Sequence, residues 1–368
     1  MHVLMTTDTV SRVWTYTREL VCGLAGRGWR VTLVSFGDIP LPDETLWMRA
    51  VKGLDYRPTA FRLDWMQEGQ RDFAEACAYL RSLADDLKPD VFHCNHLCYG
   101  NSEVCTPRVL VAHGDYLTWW RQAHGREAAH SAWLQWYRLA IAGAISKSNV
   151  LVAPTEWMLQ QIRTTYGSCV REKVIAPGRN PIQFSPYVTK ENSVMTVGRR
   201  LDAASQLHLL ARCALSVPVY VVEEQQPVSQ AETEARTSLV NSDGGFTGPH
   251  TEAQLRLLYS RAALYASPGR YEATAMSTLE AALSRCALIL NDISPLRELW
   301  DDAAVYFSKN DGKALSHAIN VLSRDEHLRR DFANRAFERA RNRFTAKRMT
   351  SKYVELYQTL ATRHALAA

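Results

Sequence analysis

The stretch Ser267-Pro268-Gly269-Arg270-Tyr271-Glu272-Ala273-Thr274-Ala275-Met276-Ser277-Thr278-Leu279-Glu280 joins a short apolar run, Leu264–Ala266, to a helical pattern that opens near Met276. A chain that turns from strand into helix leaves the first N–H groups of the helix unpaired and its positive dipole end exposed. Both suit a phosphate. Glu272 stands in the loop before the turn, and Glu280 lies inside the helix. One carboxylate can approach a group beyond the phosphate, while the other can accept hydrogen bonds from a diol on its near side. A nucleoside diphosphate bearing a sugar satisfies that arrangement. The plainer alternative is an acidic loop residue followed by an i,i+4 ion-pair partner on the helix.

Three other constellations carry weaker chemistry. His93-Cys94-Asn95-His96-Leu97-Cys98, with Cys105 downstream, offers zinc-binding atoms at a spacing that matches no common ligand set. Strand alternation would also point His93 and Cys94 to opposite faces, so no metal site is expected there. The eight cysteines form no Cys-x-x-Cys pair and read as reduced thiols. Tyr116-Leu117-Thr118-Trp119-Trp120 and Trp133-Leu134-Gln135-Trp136-Tyr137 read first as core packing and second as an aromatic wall for an acceptor. Between Arg329 and Lys352 basic side chains outnumber the acidic Asp331 and Glu338, as on a solvated helix face. Attraction to an anionic membrane surface is the second reading of that stretch.

The elements that must position these residues follow one rhythm. Apolar runs at Val3–Met5, Val31–Phe36, Val91–Cys94, Val109–Ala112 and Val150–Ala153 alternate with helical patterns at Val13–Ala25, Phe73–Leu87 and Ala128–Ile145. The rhythm restarts after Pro177 to Pro186, with strands at Val194–Val197, Val217–Val222, Leu264–Ala266, Ala287–Leu290 and Val305–Phe307. Helices fall at Gln254–Ser260, Ser277–Leu283 and Gly312–Ser323, and two more close the chain at 325–343 and 346–364. Strand and helix alternating at this spacing imply parallel sheets covered on both faces. We therefore expect two doubly wound Rossmann-like α/β domains facing across a cleft: residues 1–185, residues 186–345, and a C-terminal helix 346–368 that could cross back to the first domain. Ligands in such sheets bind outside the carboxyl ends of the strands. Composition agrees: of 368 residues 46% are hydrophobic and 22% charged, which excludes disorder and a disulfide scaffold. A balance of 43 basic to 38 acidic residues gives no reason to expect nucleic acid as a partner. With no long apolar run and no leader pattern, a cytoplasmic protein is expected, with peripheral contact at the inner membrane face as the basic stretch's second reading.

The Glu272 to Glu280 spacing resembles the Glu-x7-Glu motif of the retaining glycosyltransferase family 4, whose fold is GT-B. Arg285 to Asp292, Arg297-Glu298-Leu299-Trp300, Val197-Gly198-Arg199-Arg200-Leu201-Asp202, Val111-Ala112-His113-Gly114-Asp115 and Asn180-Pro181 with Phe184 are similar to further family segments, in the family's order. The resemblance implies roles. Glu272 would contact the donor sugar near the reacting centre, and Glu280 would hold the ribose hydroxyls. Gly198 and Arg199 would meet the diphosphate, where a guanidinium can bind bidentately. The backbone of Thr274, Ala275 and Met276 would line sugar and phosphate, and His113 would reach the sugar from the N-terminal domain. A buried structural imidazole is the alternative for His113.

The sequence departs from the family pattern at three places. Ser205 stands where a lysine is usual, which removes a charge-assisted contact worth about 1.5–3 kcal/mol. Ser11-Arg12 replaces two glycines of the first loop, and Ala273-Thr274-Ala275 replaces Pro-Phe-Gly, with Ala275 where an unusual backbone angle or a close approach would favour glycine. Arg12 could supply the missing cation; the alternative is that it fills the loop or blocks the donor. The expected activity is retaining transfer of a sugar from a nucleoside-diphosphate-sugar donor to an unassigned acceptor, with no metal or other cofactor required. The competing expectation is a catalytically impaired GT-B scaffold that binds or regulates a partner. Another sugar-nucleotide enzyme, such as an epimerase or phosphorylase, matches less well.

Overall fold

A computed structural model describes residues 1–9, 12–66, 68–199, 202–213, 215–223, 246–247 and 251–367. The chain divides into two compact units. One comprises Met1–Trp120, Glu127–Gly178 and Ala346–Ala368, and the other Arg121–Arg126 and Arg179–Thr345.

The first unit is built from β1 (His2–Asp8), α1 (Arg12–Ala25), β2 (Arg30–Phe36), β3 (Leu54–Pro58), α2 (Phe73–Leu87), β4 (Val91–Cys94), β5 (Arg108–Val111), α3 (Tyr116–His124), α4 (Ala132–Lys147), β6 (Val150–Ala153), α5 (Glu156–Tyr166) and β7 (Glu172–Val174). All pairings are parallel, in the order β3-β2-β1-β4-β5-β6-β7. Every residue of β1, β4, β5 and β6 is buried, as a sheet covered on both faces requires. Local chemistry sets the helix ends. Ser131 accepts from Leu134 N–H at 3.1 Å, so α4 starts after this cap rather than at the expected Ala128. Lys88, left-handed at φ 44°, closes α2 just before Pro89.

The second unit holds β8 (Glu191–Gly198), α6 (His208–Ala211), β9 (Val219–Glu223), β10 (Phe246–Thr247), α7 (Glu252–Arg261), β11 (Ala262–Ser267), α8 (Met276–Leu283), β12 (Ala287–Asn291), α9 (Ser294–Trp300), β13 (Val305–Phe307), α10 (Gly312–Arg324) and α11 (Glu326–Arg343). Its strands are also parallel, in the order β10-β9-β8-β11-β12-β13. Asp311 and Asp325 cap α10 and α11.

The last helix, α12 (Ala346–Ala367), belongs to the first unit, where Met349, Tyr353, Leu356, Tyr357 and Leu360 enter the core with Leu20, Leu24 and Val31. A glycine makes that packing fit. A Cβ on Gly23 of α1 would lie 2.2 Å from Oγ1 of the buried Thr350. Among the described residues no helix is long and apolar enough to cross a membrane. The expected two doubly wound α/β domains are present.

Candidate active site

In each sheet the chain order reverses beside its first strand, between β1 and β4 and between β8 and β11. Ligand crevices of doubly wound sheets open at the carboxyl ends of such strand pairs. In the second unit those ends deliver Gly198 with Arg199, and the loop that runs from Pro268 to α8.

Glu272 and Ala275 shape that loop. Ala275 adopts φ 52°, ψ 26°, the left-handed region that the sequence expectation associated with glycine. Its N–H donates to Glu272 Oε1 at 2.8 Å, so the carboxylate holds the strained turn from which α8 starts. No side chain of the N-cap residue closes the helix end. Thr278 Oγ1 donates to Ala275 O at 2.8 Å and accepts from Trp300 Nε1 at 3.0 Å, tying the first turn to α9. Met276 is buried and Thr274 half-buried.

Glu280 is only 2% exposed and pairs with Arg179, which is fully buried, at 3.1 Å from Nε to Oε1. Arg179 also donates through Nη2 to Glu252 Oε1 at 2.6 Å, stands over the Phe184 ring, and donates its backbone N–H to Phe344 O. Sequence reading missed Arg179. Its position just before the quoted Asn180-Pro181 pair was the available signal, but nothing local marks it as the partner of Glu280. The plainer sequence alternative for Glu280 named an i,i+4 base; the actual base lies far away in the chain.

Gly198 ends β8, where a Cβ would come within 3.3 Å of Leu207 Cδ2. Arg199 follows it, half-buried, and its N–H donates to Ser205 Oγ at 3.4 Å. The serine in the lysine's expected place is thus a backbone acceptor. Arg200 and Leu201 of the quoted segment, and Ser11 of the first loop, lie outside the described residues.

The first unit holds the other two expected site residues. Arg12 begins α1, whose first turn contains no acidic residue, so a cation sits at the dipole end that ordinarily favours anions. His113 follows β5 and is buried. Its Nε2 lies 2.7 Å from Asn95 Oδ1, and its ring meets Tyr16 edge-on at 4.5 Å. Burial, with His93 and His96 nearby, pushes its pKa down to about 3, so the ring is neutral. His93 and Cys94 point apart: His93 meets Tyr357 and Asn95, whereas the Cys94 thiol donates to His96 O. Of the aromatic stretches, Tyr137 is buried, while Tyr116, Trp119, Trp120, Trp133 and Trp136 are half-buried. Trp133 stacks on Tyr137 at 5.3 Å and meets Tyr116 edge-on at 5.0 Å.

The family model described as Glycosyltransferase Family 4 matches residues 13–181, and that described as Glycosyl transferases group 1 matches residues 185–339. A search of curated proteins gives no match. Among solved structures, sucrose-phosphate synthase from Thermosynechococcus elongatus superposes with a TM-score of 0.78 at 14% identity, covering 99% of this chain and 100% of that one. HepE from Anabaena, in complex with UDP and glucose, gives 0.75 at 13% identity, covering 98% and 100%. WaaG, a glycosyltransferase involved in lipopolysaccharide biosynthesis, gives 0.72 at 14% identity, covering 97% and 99%. At these identities the likeness establishes the fold alone.

Proposed function

The chain belongs to glycosyltransferase family 4 and has the GT-B fold; from that premise we propose that it moves a sugar from a nucleoside-diphosphate-sugar donor to an acceptor with retention of anomeric configuration. One observation carries the reading: at the switch point of the second sheet, Glu272 holds a left-handed Ala275, an N-cap residue with no capping side chain of its own, at the start of α8, with Glu280 on the same helix. In this reading the leaving diphosphate takes its charge stabilisation from the α8 N-terminus and Arg199, since that is where negative charge develops. Glu272 contacts sugar hydroxyls, Glu280 the ribose, and His113 a hydroxyl of the transferred sugar. Arg12 supplies a second cation in place of the lysine replaced by Ser205. Fixed positive groups then do the work of a metal, and no cofactor is needed.

HepE is described in complex with UDP-glucose, which makes uridine donors the first to test. A thermal-shift panel of UDP-, GDP-, ADP- and TDP-sugars should give at least one rise, about 2.7 kcal/mol of stabilisation when the ligand stands at 100 times its Kd. Donor turnover, with the anomeric product followed by proton NMR, should accompany it. Silence from every nucleotide would overturn the proposal. Arg12→Ala should lower turnover about tenfold or more without lowering the melting temperature, by loss of one charge-assisted contact.

A second reading, a binding or regulatory scaffold, draws on one observation. Both carboxylates have structural tasks, Glu272 at Ala275 N–H and Glu280 at Arg179, so their presence alone does not require catalysis. Nucleotide binding without turnover or hydrolysis of any donor would favour it.

A further inference from the structure

The buried polar groups behind His113 form one connected chain. Tyr357 of α12 places its hydroxyl 2.5 Å from His93 Nδ1, across 264 positions of sequence. His93 Nε2 lies 2.9 Å from Asn95 Oδ1, and the same oxygen lies 2.7 Å from His113 Nε2. The Asn95 amide cannot be turned over, because its Nδ2 donates to Thr6 O at 2.7 Å. Its Oδ1 is therefore the acceptor, and an amide oxygen has no proton to give. Both imidazoles must donate to it. Each then carries its proton on Nε2, which leaves Nδ1 as the acceptor nitrogen in both rings. In His93 the Tyr357 hydroxyl supplies the matching donor. In His113 no described residue hydrogen-bonds to Nδ1.

We propose that Asn95 is the positioning residue for His113: it fixes the Nε2–H tautomer, so that Nδ1 can only accept a hydrogen bond, and the group it selects on the transferred sugar is a hydroxyl. The inference rests on the reading of His113 as a sugar contact. His93 and Tyr357 hold the shared amide oxygen from the other side. The titratable groups around His113 are Tyr16 of α1, with Tyr353 of α12 at the Tyr16 hydroxyl, and His93 and His96 at the end of β4, with Tyr357 behind His93. Burial keeps these tyrosines protonated and both histidines neutral, and besides burial the shift on His113 has only repulsion from His93 and His96, and no carboxylate, among its causes. The sugar contact therefore keeps one sense of hydrogen bonding over the working pH range. A donor whose contacted hydroxyl is replaced by fluorine, itself only an acceptor, should be rejected.

Nitrogen-15 spectra of the full chain labelled at histidine test the tautomer directly, with His113 assigned by His113→Gln. A pyridine-type Nδ1 and a pyrrole-type Nε2 are expected from pH 5.5 to 8; the reverse pattern, or protonation in that range, overturns the proposal. Asn95→Asp supplies the functional arm. A carboxylate between the two imidazoles favours their charged forms, so His113 Nδ1 becomes a donor as pH falls. The variant should show kcat/KM falling about tenfold from pH 8 to pH 6, roughly the loss of one hydrogen bond of 1.4 kcal/mol. The wild type should stay flat through the same interval, and a variant profile equally flat overturns the positioning role. If Asn95→Asp does not fold, the spectra of the wild type still decide. Failure of the underlying reading looks different: His113→Gln would then retain full turnover while the tautomer stands as described.

Discussion

The two units meet the problem of burying polar groups in opposite ways. Behind His113 the first unit uses neutral groups, Tyr357, His93 and Asn95, satisfied by hydrogen bonds at 2.5–2.9 Å. Behind Glu280 the second unit buries full charges, with the Arg179 guanidinium shared between the buried Glu280 and the half-buried Glu252. A neutral network is insensitive to salt, but it loses its neutrality when acid protonates the imidazoles. A buried ion pair fails when either partner is removed, because the other charge is left uncompensated.

The largest expected effect separates the units by pH. His93, His96 and His113 are held by burial at about 4, 3 and 3, below the ordinary 6.5. Their neutral forms add stability that is complete above pH 6.5 and lost as pH falls toward 4. Asp64 opposes them: burial raises its carboxyl to about 6, so it gains stability as pH falls from 6 toward 3.8. Three protons against one leave a net loss of roughly 2.7 kcal/mol per pH unit between pH 6 and 4. Hydrogen exchange at pH 7 and pH 5 should show β4 and β5 losing protection more than β11 and β12. Equal losses would erase the contrast.

Next is Arg179→Gln, which leaves Glu280 buried beside an uncharged amide. A cost of about 3–5 kcal/mol is expected in urea unfolding, with Arg179→Lys intermediate because it keeps the charge and loses the fork. A loss below about 1 kcal/mol would show that water already reaches the pair. Gly23→Ala probes the first unit through its backbone. With Thr350 Oγ1 committed to Ala346 O, the added methyl has no room, and about 1–3 kcal/mol should be lost. The smallest change is Ala275→Gly. It relieves left-handed strain of about 1–2 kcal/mol and gives up a buried methyl worth about 0.8, for a net gain near 0.5 kcal/mol. A loss of stability instead would mean that the methyl's packing outweighs the strain.

Much of the fold was legible because its signals are local. Phe73–Leu87, Val91–Cys94, Val150–Ala153 and Val305–Phe307 have the bounds that apolar periodicity and flanking Pro or Gly imply. The elements that escaped were short or polar. Leu54–Pro58 and Glu172–Val174 are edge strands whose exposed residues erase the alternation, and Ser294–Trp300 opens on a proline that reads as a turn. The left-handed backbone at Ala275 was one of the two grounds, with close approach, for expecting glycine there by resemblance, and it is the one the turn uses.

By itself the sequence determined the alternation of strands and helices, the family, and the carboxylates' place at a strand-to-helix turn. Each of these depends on a few consecutive residues and their period. The tertiary structure decided which groups answer them: Arg179 for Glu280, Ala275 N–H for Glu272, and Asn95 with Tyr357 behind His113. Most of those partnerships join segments distant in the chain. They are selected by the cost of burying an unpaired polar group once both sheets have closed, and that cost exists only in the folded molecule.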